Sequence, residues 1–183
     1  MIVTPKILAR LVLITILVVL LQLSFFSRVT FLDTSPDILP AFVVVLGLLG
    51  GSMAGAVTGF SIGFLVDCLV AGTLGVTSLV LLGIGYVAGL FRERFEIHSS
   101  LVPPLLCMGF TLVAEVGFAL VEVTLGIDAP ISTLVLRDMA LKSIYAFFLG
   151  WPLYYGMRLA LRAALVDEPR VERRRQPTVL GVR

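Results

Sequence analysis

The chain has 183 residues, of which 58% are hydrophobic and 14% charged, with a formal net charge of +2 and a mean hydropathy of +1.07. A soluble domain is about 45–50% apolar and about 25% charged, so this composition excludes one and predicts an all-α, polytopic membrane helix bundle. Cys68 and Cys107 both lie in apolar runs and the single histidine, His98, has no clustered partner, so neither a CxxC pair nor a metal set exists and no metal or cofactor is expected.

In chain order, the first apolar run is 7–26, flanked by Lys6 and Arg10 at its start. It is long enough to span a bilayer, which takes ~20 residues, and FFSRVT offers no small-x-small cleavage site, so it reads as a retained signal anchor. After a polar stretch, run 37–50 is apolar but short, at ~21 Å for 1.5 Å per residue. Runs 51–71 and 74–91 follow, the second closing on Arg92, Glu93 and Arg94. Run 101–125 carries Pro103 and Pro104 in its first turn, where proline is tolerated. A turn with Asp128 and Pro130 leads to run 138–157, in which Trp151-Pro152 predicts a kink and Tyr154 and Tyr155 an interfacial belt. Residues 1–165 thus form one integral membrane domain of about six spans, and 166–183 form a basic disordered tail.

Basic residues flanking spans mark the cytoplasmic side. If all six runs cross, eleven of the fourteen basic residues share one side, and only Arg28, Arg137 and Lys142 fall on the other. Removing the short second run would put the termini on opposite faces and spoil that asymmetry. Six spans with both termini cytoplasmic is the better count, the second being a thin or tilted crossing. The tail arginines Arg170, Arg173, Arg174 and Arg175 are expected to hold anionic lipid headgroups or an acidic partner; nucleic acid is not expected.

Within GGSMAGAVTGFSIGFLVD, Gly51, Gly55, Gly59 and Gly63 fall four apart and the next step lands on Asp67. In water each internal glycine costs a helix about 1 kcal/mol relative to alanine. In lipid, small residues at i, i+4 permit close backbone approach and drive helix association. The face is either an internal packing surface or a groove for another protein's helix. Asp67, Glu115 and Glu122 are the carboxylates inside apolar runs, the last two seven apart on one helix face. A charge at mid-span costs ~2.5–3.5 kcal/mol and usually faces inward with a partner. Arg28, Arg137 and Lys142 are the candidate cations, giving ion-paired staples, a proton or solute path, or polar contacts to a partner helix. No nucleophile, metal set or phosphate loop accompanies them, so no catalytic residue is expected.

From residue 36 to 90 a series of landmarks follows in order: Pro36 and Asp37 open an apolar run, then comes G-F-x-x-G-x-x-x-D at Gly59, Phe60, Gly63 and Asp67. Next come Gly72, Thr73, Leu74 and Gly75 in a turn, and Tyr86 in the following span. In this order and spacing the stretch resembles the rod shape-determining protein MreD family of bacteria. The resemblance implies a non-enzymatic subunit of the cell-elongation machinery in the bacterial cytoplasmic membrane. Its implied partner is the bitopic MreC, and through it the actin-like MreB and peptidoglycan synthases. It further implies a fold like the substrate-binding subunits of energy-coupling-factor transporters, so the alternative function is vitamin capture. LVLITILVVLLQL in the first span lacks the alanine face such subunits carry. Gly51, Gly55, Gly59, Phe60, Gly63 and Asp67 are the residues expected to pack or to receive the partner helix.

Overall fold

The computed structural model describes residues 5–26, 34–70, 75–95, 101–124, 126 and 133–165. Its elements are helical: α1 (Pro5–Leu21), continued by a π-helical turn (Gln22–Phe26), α2 (Leu39–Gly50), α3 (Ser52–Val70), α4 (Val76–Arg94), α5 (Val102–Thr124) and α6 (Thr133–Leu165). Three stretches, Ser52–Val70, Val76–Arg94 and Val102–Val121, are long and apolar enough to cross a membrane, and Leu11–Phe25 and Leu39–Gly50 are shorter apolar helices.

The short second run is the centre of the bundle. LPAFVVVLGLLG is apolar all round, and a helix of that kind belongs inside; every residue from Leu39 to Leu48 is buried. Helices α3, α4, α5 and α6 all pack against it. Twelve residues make a helix of about 18 Å, well short of the ~30 Å hydrocarbon layer. Because protein surrounds α2, its length does not have to match a bilayer.

Polar side chains fix both ends of α2. At its start the Gln22 carboxamide donates to the Pro36 carbonyl (3.2 Å) and accepts from the Ile38 amide (3.1 Å), while Asp37 accepts from the Leu39 amide (3.0 Å). At its end Arg92 of α4 donates to the Leu49 carbonyl, a cation at the negative pole of the helix. Gly51 then breaks the chain between α2 and α3 with φ of 90°, a conformation that favours glycine. It is therefore a linker residue rather than part of the α3 helix, although its carbonyl accepts from the Gly55 amide at 2.9 Å.

Helix α1 lies at the edge. Leu11, Ile14, Val18, Val19 and Leu23 face the core at helical spacing, and Val12, Leu13, Ile16, Leu17 and Leu20 face outward. Helix α6 is longer than the expected run and continues through Pro152, the position of the expected kink.

Candidate functional site

The landmarks of the sequence converge on the antiparallel α3–α4 hairpin. Along it, a β-carbon at Gly55 would collide with the Gly85 carbonyl, one at Gly59 with the Leu81 carbonyl and one at Gly63 with the backbone of Thr77 and Ser78. The fit is reciprocal: a β-carbon at Gly85 would strike the Gly55 carbonyl, and one at Gly89 the backbone of Gly51 and Ser52. Gly47 of α2 joins the same node, because its β-carbon would lie 2.7 Å from the Gly85 carbonyl oxygen. Three helices thus meet backbone to backbone around Gly47, Gly55 and Gly85. The glycine line is filled by the protein's own α4. Phe60 points the other way, half-exposed, with its ring centroid 6.2 Å from that of Phe64.

Asp67 ends the line buried, and no cation neutralises it among the described residues. Its Oδ2 accepts from the Gly75 amide (2.9 Å), the Ser78 amide (3.3 Å) and the Ser78 hydroxyl (3.1 Å), and the Thr77 side chain also hydrogen-bonds to it. Gly75 is the residue before α4, left-handed at φ of 99°, and offers no side chain to cap the helix. The carboxylate of α3 supplies that cap and sits at the positive pole of α4. Of the cations considered for Asp67, neither Arg137 nor Lys142 forms an ion pair with it among the described residues, and the carboxylate serves there as a helix cap. At the opposite end of the hairpin the relation repeats in reverse: Glu93 of α4 accepts from the Ser52 amide (2.9 Å) and hydroxyl (2.7 Å) at the start of α3. Each helix lends the other a carboxylate.

The second polar site lies where α2, α5 and α6 meet. Lys142 of α6 places Nζ 3.2 Å from Glu115 Oε2 of α5 and 3.4 Å from Asp138 Oδ2 of its own helix. Glu115 is buried, and Asp37, just before α2, interacts electrostatically with Lys142. Of the two expected cations among the described residues, Lys142 is the one brought to a carboxylate; Arg137 is exposed and makes no ion pair among the described residues. Arg28, the Glu122 side chain, His98 and the tail arginines Arg170, Arg173, Arg174 and Arg175 lie outside the described residues. Among the described residues no group of three His, Cys, Asp or Glu side chains is placed to hold a metal ion.

Several contributors were not singled out from sequence. Gly85 and Gly89 repeat the spacing of four on α4, and Gly47 extends the α3 line backwards, so the spacing could have found all three. Glu93, Arg92 and Gln22 carry no local signal, because their partners are 41, 43 and 14–16 residues away in sequence.

A family model described as rod shape-determining protein MreD matches residues 4–163. No curated protein and no solved structure matches the chain.

Proposed function

The chain belongs to the rod shape-determining protein MreD family, a family of shape-determination components and not a known enzyme family, and from that premise we propose that it is a multi-pass scaffold of the cell-elongation machinery. The match over residues 4–163 carries this reading. In it the chain resides in the bacterial cytoplasmic membrane with both termini cytoplasmic, binds an MreC-like bitopic protein, and through it supports MreB-like actin and peptidoglycan synthesis.

A scaffold needs a rigid surface rather than reactive groups. Backbone-to-backbone packing and two exchanged caps tie the two helices of the α3–α4 hairpin closely together. Since α4 occupies the glycine line, the partner helix is assigned to the outer side of that hairpin, where Phe60 and Phe64 stand exposed on α3. The glycines and Asp67 then serve the partner by holding Phe60 in place. Co-purification of the MreC-like protein tests the reading. Phe60→Ala with Phe64→Ala should reduce capture while leaving insertion and thermal stability unchanged. Full capture by that variant would refute the assigned surface, and failure of the native chain to capture the partner would refute the scaffold reading.

A further inference from the structure

Helices α5 and α6 touch in two unlike ways along one antiparallel seam. Towards the start of α5 the contact is rigid: a β-carbon at Gly150 would lie 2.9 Å from Cys107 Cβ and 3.4 Å from Pro104 Cα, with Pro103, Pro104 and Cys107 fully buried. Two turns further along α5 the polar tie between the helices is Lys142 to Glu115, beside the small buried residues Ala114, Ser143 and Ala146. Between them lies Thr111, fully buried with its hydroxyl unpartnered among the described residues, so this stretch is not closed by hydrogen bonds.

The link is also divided. Lys142 stands almost equally far from Glu115 on the neighbouring helix (3.2 Å) and Asp138 one turn back on its own (3.4 Å). Charge and hydrogen-bonding capacity of the lysine are conserved whichever carboxylate it serves, but only the first choice ties α5 to α6. Asp37, before α2, also interacts electrostatically with Lys142.

We propose that the α5–α6 seam is a pivot and latch: Gly150 against Cys107 and Pro104 is the pivot, and Lys142, moving between Glu115 and Asp138, is the latch. With Lys142 on Glu115 the far ends of α5 and α6 are held together; with Lys142 wholly on Asp138 they part, while the glycine-locked α2–α3–α4 unit stays as it is. The inference does not depend on the identity of any partner.

Distance measurement between spin labels in the full chain, reconstituted in lipid, tests it. Leu120→Cys and Leu136→Cys place exposed labels at the latch end, and Leu105→Cys and Trp151→Cys at the pivot end. Exposed Cys68 is replaced by serine and buried Cys107 is left in place. Glu115→Gln should move the latch-end distances towards the longer population by on the order of tenfold, the weight of one charge-assisted hydrogen bond, with pivot-end distances unchanged. Asp138→Asn should move the latch end the opposite way. Equal or absent shifts in the two variants, with only a loss of thermal stability, would overturn the latch and leave a static ion pair. Should Glu115→Gln fail to fold, Asp138→Asn decides alone: an unchanged latch-end distribution refutes the proposal.

Discussion

The Asp67 carboxylate accepts from both the backbone amide and the hydroxyl of Ser78, at 3.3 and 3.1 Å, and so one helix of the hairpin closes the N-terminus of the next. Removing that acceptor leaves buried donors with nothing to bond. Asp67→Ala should therefore destabilise the protein by about 1–3 kcal/mol, read as a lower thermal midpoint in lipid or detergent. Asp67→Asn, which keeps an acceptor without the charge, should lose less. Equal losses for the two would show that the charge at the helix pole dominates.

The glycines divide into two sets with opposite expectations. At Gly55 and Gly85 a β-carbon meets backbone that cannot yield, whereas at Gly83 and Gly109 nothing lies within 4 Å. Gly55→Ala or Gly85→Ala should cost roughly 1–3 kcal/mol through overpacking. Gly83→Ala and Gly109→Ala should be neutral or stabilising by up to about 1 kcal/mol, since alanine is the better helix former. Four thermal melts separate the two sets.

Lys142 and Glu115 should show strong coupling. Lys142→Met strands a buried carboxylate and should cost about 3–5 kcal/mol, whereas Lys142→Met with Glu115→Gln removes both charges and should recover much of that loss. A double-mutant cycle on thermal or denaturant stability measures the interaction; additive losses would mean the two groups are independent.

The Glu93 cap sits at an exposed end and has water to compete with it. Glu93→Gln should leave global stability nearly unchanged while speeding hydrogen exchange in the first turn of α3. Protection of the amides from Ser52 onward is the measurement, and unchanged exchange would deny the cap any local role.

Much of this fold was legible because helices in lipid obey few rules. Apolar length located α3, α4 and α5 to within a few residues, and the i, i+4 glycines marked a close helix contact. The identity of that contact was not legible: an isolated stripe looks the same whether a sister helix or a partner covers it, and only Gly85 and Gly89 opposite decide for α4. The donors to Asp67 were hidden for a related reason. A carboxylate inside an apolar run directs attention to charges of opposite sign, whereas backbone amides at a helix start are displayed by no sequence letter. The shortness of α2 likewise pointed to bilayer mismatch because enclosure by four neighbours is a property of the assembled bundle.

That enclosure orders events in time. As the ribosome makes the chain, α2 emerges early, whereas α5 and α6, which cover part of its surface, are synthesised last. Until they arrive, one flank of the most thoroughly buried helix remains uncovered. The core is therefore completed by the C-terminal half, and a chain stopped after α4 would hold a locked hairpin around an unfinished centre.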